Sequence, residues 1–334
     1  MARAVVLGGG IAGHTAALHL TRMLSHSDQV VVVTPNSNWN WIPSNIWLGV
    51  GRMKADQVTF KLGPIYQRKG IEFHQALATA IHPEGDDAHS KPFVDLIYTD
   101  PARAGEHGLL EYDYLINATG PKLNFGATPG LGPDGFSYSV CTSGHAVEAS
   151  AALQASITRM KKGERQVLVV GMGHGTCTCE GAAFEYAFNV EHEVRQAGVR
   201  DLADIVYLTN EYDLGDFGVG GLTFTQQGFQ TTSKLWTESL FRERGIRAIT
   251  GAHVTGVEEG VVHYEQLDGS ISSLLFDFAM LLPPFRGVDL KAFDAEGSDI
   301  SDELFAPSGF MKVDADYGAK PFEEWRAEDW PSTY

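Results

Sequence analysis

The sequence predicts an α/β chain of two tandem domains, each built on a parallel sheet, and three observations predict it. At 334 residues with 43% apolar composition, the chain is long enough for two ordinary cores. A strand, a glycine turn, a helical pattern and a second strand follow one another at the N-terminus, and the same grammar recurs from Gln166. Alternating strands and helices build parallel sheets, because a parallel strand pair needs a crossover long enough to hold a helix.

Taken in order, Ala4 to Leu7 is a short apolar strand and Gly8 to Gly13 a glycine turn. Ala12 to Leu24 follows as an apolar-periodic helix that stops at Ser25-His26-Ser27-Asp28. Gln29 to Thr34 is a second buried strand, and Leu115 to Asn117 a later one ending in Ala118-Thr119-Gly120-Pro121. Gly144 to Lys162 reads as the helical crossover between the domains. Gln166 to Val170, Gly171 to Gly175, Glu180 to Gln196 and Ile205 to Thr209 then repeat strand, turn, helix and strand. Phe278 to Leu282 is apolar again before Pro283-Pro284, after which the chain is acidic and irregular. Lys320 to Tyr334, with Pro321, Trp325, Trp330 and Pro331, has no clear period. The expected boundaries are 1–150 for a first dinucleotide-binding segment, 151–285 for a second, and 286–334 for the start of a return segment to the first.

Lys plus Arg number 25 against 42 Asp plus Glu, a formal charge of −17, which excludes a general affinity for nucleic acid phosphates. The chain runs from Met1 straight into a strand and a glycine turn, which leaves no room for a signal peptide. No stretch approaches the roughly 18 uninterrupted apolar residues of a spanning helix. Three cysteines, Cys141, Cys177 and Cys179, are too few for a disulfide scaffold, so their value is chemical.

Gly8-Gly9-Gly10-Ile11-Ala12-Gly13 fits G-x-G-x-x-G and stands directly after a strand and before a helix. Glycine there permits the tight turn, lets a pyrophosphate approach backbone N–H groups, and lets the helix pack on the strand. A merely structural turn is the competing reading. The acidic residue that usually closes the second strand and grips a ribose is missing, since Val33 is followed by Thr34-Pro35-Asn36. Ribose recognition then falls to Thr34, Asn36 or main chain. Ala118-Thr119-Gly120, at this distance from the first turn, is the second signature of flavoproteins of the disulfide-reductase kind and favours FAD over NAD.

The second turn, Gly171-Met172-Gly173-His174-Gly175-Thr176, has Thr176 where the third glycine or alanine belongs, with Cys177 and Cys179 just behind it. A bulkier turn and thiols at the helix start point to a nicotinamide site lost or repurposed. Cys179, near a helix start, stands where helix N–H groups lower a thiol pKa; a small buried hydrophobe is the alternative. Cys141 lies at the crossover with His145 about one helical turn on, and a structural histidine is the alternative for His145. Cys177 and Cys179 have no second Cys or His pair at ligand spacing, so no metal is expected. Trp39, Trp41 and Trp47 flank Pro43-Ser44-Asn45, a density that suits core packing or a loop over a flavin ring.

Several pieces stand in the chain as an ordered set: the Gly8 to Gly13 turn, Ile42-Pro43-Ser44-Asn45 with Trp47 and Gly49-Val50-Gly51, Ala118 to Lys122, Val140-Cys141-Thr142 with His145, Cys179-Glu180-Gly181 with Phe184-Glu185-Tyr186-Ala187, and Pro284 to Val288. With them the chain resembles the sulfide:quinone oxidoreductase family, from Met1 to about Val288. This branch of the flavoproteins with two dinucleotide-binding domains also holds flavocytochrome c sulfide dehydrogenases and type II NADH dehydrogenases.

The resemblance implies two Rossmann-like domains, FAD as cofactor, sulfide and quinone as substrates, and peripheral membrane contact; it leaves a homo-oligomer open. It implies FAD contacts from Gly8, Gly10, Ile11, Ala12 and Gly13, from Thr34, Pro43, Ser44 and Ala78, and from Ala118, Thr119, Gly120 and Pro121. Cys141 matches a cysteine associated with the flavin, and Cys179 one of the redox-active pair. Glu185 matches a carboxylate near the flavin, and His145 a histidine that handles protons. Hydrosulfide attacks a disulfide sulfur to give a persulfide, electrons pass through FAD to quinone, and sulfur leaves as zero-valent polysulfide.

Three departures stand out. The family draws the partner of its second cysteine from a C-terminal part, and no cysteine follows Cys179 here. That part also carries the last FAD motif, the quinone pocket and the membrane-contacting helices, so the FAD domain is expected to be incomplete at its C-terminal end. A bond between Cys177 and Cys179 across one residue is strained, and Asp216 stands in place of the family's second proton-handling histidine. The rival readings are a flavocytochrome c type sulfide dehydrogenase, a type II NADH dehydrogenase, and a non-catalytic flavin-binding remnant.

Overall fold

The computed structural model describes residues 2–177 and 179–313. Two compact units are present: residues 2–37, 63–122 and 286–313 form one, and residues 38–62 and 123–285 the other. The contiguous first segment expected to run to residue 150 thus gives way to an interleaved division. Burial is the reason: Ile46, Leu48, Val50 and Val58 of the early loop, and Val140 ahead of the crossover helix, belong to the core of the second unit. The stretch with Trp325 and Trp330 lies outside the described residues.

In the first unit, strands β1 (Arg3–Leu7), β2 (Gln29–Thr34), β3 (Glu72–His82), β4 (Phe93–Tyr98), β5 (His107–Glu111) and β6 (Tyr114–Asn117) form a sheet in the order β5-β4-β3-β2-β1-β6, and Lys291–Ala292 pairs with β3. Strands β6, β1, β2 and the start of β3 run parallel, while β3, β4 and β5 pair antiparallel. Val5, Val6, Val31 and Val32 are fully buried, as strands covered on both faces require. Helix α1 (Ile11–Met23) is the crossover from β1 to β2. Register sets Leu7 between Val33 and Asn117. The carboxyl ends of three parallel strands therefore release Gly8, Thr34 and Ala118 side by side, where open α/β sheets bind ligands.

The second unit holds α2 (Ser143–Lys161), β7 (Gln166–Met172), α3 (Glu180–Gln196), β8 (Ala203–Leu208), β9 (Thr223–Gln226), β10 (Phe229–Thr232), α4 (Ser233–Arg244), β11 (Arg247–Ile249), β12 (Ala252–Glu258), β13 (Val261–Gln266), β14 (Ile271–Leu275) and β15 (Phe278–Leu282). Its main sheet is parallel, in the order β11-β8-β7-β15, beside an antiparallel meander β12-β13-β14 and the hairpin β9-β10. Helix α2 starts where Thr142 accepts a hydrogen bond from the His145 N–H, a side-chain cap for an otherwise orphaned donor. It buries Ala146, Ala149, Leu153, Ile157 and Met160, a stripe at helical spacing. Leu153→Ala would cost about 2–5 kcal/mol. The two parallel-sheet domains expected from the sequence are present. The antiparallel elements β4-β5, β9-β10 and β12-β13-β14 were not read in advance, because their short alternating runs carry little period.

Candidate functional site

In the first unit the leading turn is a cradle with an open front. Gly8 has φ +104°, and a Cβ there would lie 2.0 Å from the Ala118 carbonyl oxygen. A Cβ at Gly13 would lie 2.0 Å from the Gly8 carbonyl oxygen. These two glycines let strand, turn and helix touch. Gly10 differs: a Cβ there meets nothing within 4 Å. It is the N-cap of α1, with no side-chain cap, and Gly10, Ile11 and Ala12 are exposed. The first N–H groups of α1 thus open onto free space, which fits the pyrophosphate of a dinucleotide.

The neighbours expected to complete this cradle are there. Thr34 is buried at the end of β2. The Asn117 side chain accepts from both the N–H and the hydroxyl of Thr119, which turns the chain so that Gly120 and Pro121 are exposed. Ala78 sits in β3 at the bulge between Ala78 and Ala80, partly buried. Two matched motif pieces meet at Asp289, which accepts from Arg286 at 2.6 Å and Lys122 at 2.7 Å. Arg286 first, then Lys122, holds its carboxyl down at about 2.

In the second unit the three thiols pack against one core cluster and are free. Cys141 precedes α2, and its N–H donates to the Ser139 hydroxyl at 3.1 Å. Burial pushes its thiol up to about 11, with the Cys179 charge adding to the rise. Cys177 is 2% exposed, donates to the Leu282 carbonyl at 2.9 Å, and is pushed by burial up to about 12. Cys179 is the N-cap of α3, and here the expected lowered pKa is overturned. Burial raises it, the Ala182 N–H only partly offsets this, and the Glu180 and Glu185 carboxylates raise it further. The N–H groups of a helix start do act on the thiol, but desolvation outweighs them.

His145 stands in the first turn of α2, its ring edge-on to Phe125 at 5.8 Å. Its Nδ1 is buried without a partner among the described residues, and burial lowers its pKa, opposed by Glu148 and Asp134. Glu185 is exposed on α3. Asp216 is a turn residue that accepts from the Gly220 N–H at 2.7 Å. Pro43 and Ser44 lie in the short helical turn Ile42–Ser44, with Pro43 exposed and Ser44 partly buried. Trp39 stacks between Trp41 and Phe60, while Trp41 and Trp47 are exposed.

The second turn diverges from the first. Helix α1 starts at Ile11, next to Gly10, but α3 starts only at Glu180, well past Gly173. The space in front is filled by the chain itself: a Cβ on Gly173 would lie 2.4 Å from Leu131, and one on Gly175 would lie 2.7 Å from Nδ1 of His253. The acidic residue beyond β8, Glu211, stands where a ribose would be gripped, yet it is buried. Its carboxylate accepts from the Thr209 and Tyr207 hydroxyls and the Phe217 N–H.

Sequence reasoning gave no role to two asparagines. Asn40 and Asn45 form a reciprocal amide pair, and the Asn40 side-chain oxygen also accepts from the Ser143 N–H. Asn45 is 1% exposed, so this pair ties the early loop to the chain two residues after Cys141. Its one sequence signal was the polar pair in a tryptophan-rich loop.

Comparison with known families decides the assignment, since the profile of the pyridine nucleotide-disulphide oxidoreductases matches residues 2–282. The chain belongs to the pyridine nucleotide-disulphide oxidoreductase family. The resemblance to sulfide:quinone oxidoreductases is borne out as well. A sulfide-quinone reductase of Aquifex aeolicus (strain VF5) is 31% identical over 288 residues, covering 86% of this chain and 60% of that protein. The chain therefore spans about three fifths of that relative. The solved structure of the Aquifex aeolicus sulfide:quinone oxidoreductase superposes with a TM-score of 0.72 at 29% identity, over 86% of this chain and 60% of that one. A Plasmodium falciparum NDH2 structure in complex with NADH, at 17% identity and a TM-score of 0.64 over 86% of this chain and 56% of that one, shares the fold. Members of this oxidoreductase family carry a flavin, and the open cradle at Gly10 fits one.

Proposed function

We propose that this chain is the FAD-binding and sulfur-handling portion of a sulfide:quinone oxidoreductase. The observation that carries the reading is the contrast between its two turns. The first is open in front of Gly10, whereas Leu131 and His253 fill the second, with Cys177 and Cys179 directly behind it. An oxidoreductase whose nicotinamide turn is filled must take electrons by another route, and thiols stand at that place.

When bound, FAD supplies a two-electron acceptor that quinone reoxidises. The protein's own part is to hold it: N–H groups at the start of α1 for the pyrophosphate, Thr34 and neighbouring main chain for the ribose, and Ala118 to Pro121 along the cofactor. Pro43, Ser44 and Ala78 join this set by resemblance. By resemblance, hydrosulfide attacks Cys179 in its disulfide form, and the S–S bond breaks as the partner thiolate leaves. The Cys179 persulfide passes its outer sulfur to a second hydrosulfide as polysulfide, and the two thiols then give up two electrons and return to the disulfide. Cys141 matches the flavin-associated cysteine, and Glu185 and His145 exchange protons at the sulfurs. In balance, hydrosulfide gives up two electrons and one proton and leaves as zero-valent sulfur, and quinone gains two electrons and two protons, the second proton coming from solvent. Quinone reduction places the protein at a membrane surface, although no described helix is long and apolar enough to cross a membrane.

One observation favours a second reading. All three thiols are raised by burial, as suits a flavin-binding remnant whose cysteines do not cycle. An anaerobic titration of the flavin absorbance with sulfide, and separately with NADH, distinguishes the two. Bleaching by sulfide alone is expected. Bleaching by NADH alone overturns the reading in favour of a dehydrogenase, and a flavin inert to both leaves the remnant.

A further inference from the structure

We propose that Asn40 is a positioning residue for Cys141 and Cys179: its amide oxygen fixes the start of helix α2, just after Cys141, to a brace whose other end is fixed to α3, the helix that Cys179 caps. This rests on the sulfide reading above only in giving Cys141 and Cys179 a part in the chemistry. The brace is segment 38–51, within the second unit. Its first residues, Asn38–Asn40, pair with Thr59–Lys61, and the Asn40 side chain is held as well. The Asn40 amide nitrogen donates to the Asn45 side-chain oxygen at 3.0 Å and to the Val58 carbonyl at 3.3 Å. The buried Asn45 returns a bond from its amide nitrogen to the Asn40 oxygen at 3.2 Å. That oxygen has two lone pairs, and the other takes the Ser143 N–H at 3.1 Å. Ser143 is the first residue of α2, so its N–H is one of the donors that no carbonyl of the helix satisfies.

The other end of the brace touches both thiol-bearing segments at one residue. The Gly49 carbonyl accepts from the hydroxyl of Tyr186, a fully buried ring on α3, at 2.8 Å. A Cβ on Gly49 would lie 2.7 Å from Val140 and 2.9 Å from Tyr186. The backbone there is wedged between the residue before Cys141 and a residue about two turns on from Cys179. Ile46, Leu48 and Val50 of the brace share one core cluster with Cys141 and Cys179. Cys141 thus lies between two anchor points on the brace, Val140 at Gly49 and Ser143 at Asn40. Burial is the first cause that raises its thiol, the Ser139 hydroxyl opposes this, and the Cys179 charge adds to the rise. Capping alone does not call for such a contact, because the Thr142 hydroxyl already caps α2 from within the chain.

The test is the pH profile of Cys141 alkylation by iodoacetamide, resolved by mass spectrometry, in the full chain and in Asn40→Ala, Ser143→Pro and Leu153→Ala, each with a thermal melt. Ser143→Pro deletes the N–H that Asn40 accepts, and proline suits the first position of a helix. Thr142 ahead of it is already extended, at φ −128° and ψ 160°, as a residue before proline must be. Leu153 is buried further along the same helix, so its truncation lowers stability without touching the brace. We expect the profiles of Asn40→Ala and Ser143→Pro to move down from about 11 toward the ordinary 9.0, because loss of burial favours the thiolate. Each unit of that movement raises the rate at neutral pH by about tenfold. Leu153→Ala should melt lower with the parent's profile. An unmoved profile in either Asn40→Ala or Ser143→Pro, an equal shift in Leu153→Ala, or failure of both brace variants to fold overturns the proposal and leaves the bond a matter of stability alone. Should Asn40→Ala alone fail to fold, Ser143→Pro decides. The measurement needs no sulfide, so a parent flavin that sulfide does not bleach would sink the sulfide reading and leave the alkylation result intact.

Discussion

Substituting Gly10 by alanine separates the cofactor role of the first turn from its role in the fold. A Cβ at Gly10 meets no protein atom within 4 Å, and its φ of −76° and ψ of −163° suit any residue. Loss of glycine at an N-cap is unfavourable, whereas the smaller entropy of the unfolded chain favours alanine by about 0.4–1 kcal/mol. The net change in stability is therefore within about 1 kcal/mol, or a few degrees in Tm. The same Cβ would stand in open space at the N-cap of α1, where the pyrophosphate is proposed to lie. A pyrophosphate pushed away there loses charge-assisted hydrogen bonds of about 1.5–3 kcal/mol, a loss of roughly 10- to 150-fold in affinity. Gly13→Ala reverses the pattern: its Cβ would lie 2.0 Å from the Gly8 carbonyl, so α1 must lift from β1 at about 1–3 kcal/mol. The assay pairs a thermal melt with the ratio of flavin to protein and a reconstitution titration with FAD. Full flavin content and unchanged affinity in Gly10→Ala would refute the idea that Gly10 faces the cofactor.

Further expectations concern buried ionisable groups. Because Glu185 disfavours the Cys179 thiolate, Glu185→Gln should move the pH profile of Cys179 alkylation to lower pH, read by mass spectrometry with iodoacetamide; an unmoved profile counts against their coupling. Cys177, 2% exposed and bonded to the Leu282 carbonyl, should resist labelling in the native state at neutral pH and react once the chain is unfolded, and rapid native labelling would show the thiol is accessible. Glu211 has a folded pKa raised above 4.5, first by burial. The folded state therefore holds its proton more tightly, and stability falls as pH rises from about 4.5 through the raised value. Denaturant titrations should show this fall in the parent to be steeper than in Glu211→Gln, and parallel curves would contradict it.

The parts of the molecule legible in the sequence are those set by local pattern. Gln29 to Thr34, Glu180 to Gln196 and Phe278 to Leu282 read from apolar period and turn chemistry alone, and all three appear with those bounds. The first turn was equally legible, because the contacts that need its glycines lie within the motif or on the adjacent strand. What failed was non-local. His253 fills the second turn from a strand far along the chain, and Asn40 reaches the Ser143 N–H across 103 residues. The Cys179 reading failed for the same reason: a helix start is visible in sequence, whereas the burial and carboxylates that outweigh it come from tertiary packing. Segment 38–62 hid its allegiance likewise, since Ile46, Leu48 and Val50 look like loop apolars until their core is known.

The raised thiols bear directly on the proposed chemistry. In thiol–disulfide exchange a sulfur of low pKa leaves faster, and a sulfur of high pKa leaves well only if a proton reaches it as the bond breaks. With burial lifting Cys141 to about 11 and the Glu180 and Glu185 carboxylates opposing ionisation of Cys179, attack by hydrosulfide needs a nearby proton source. His145 is held toward its neutral form by burial, so it relays a proton more readily than it stores one, and its buried Nδ1 without a partner suits an acceptor's role.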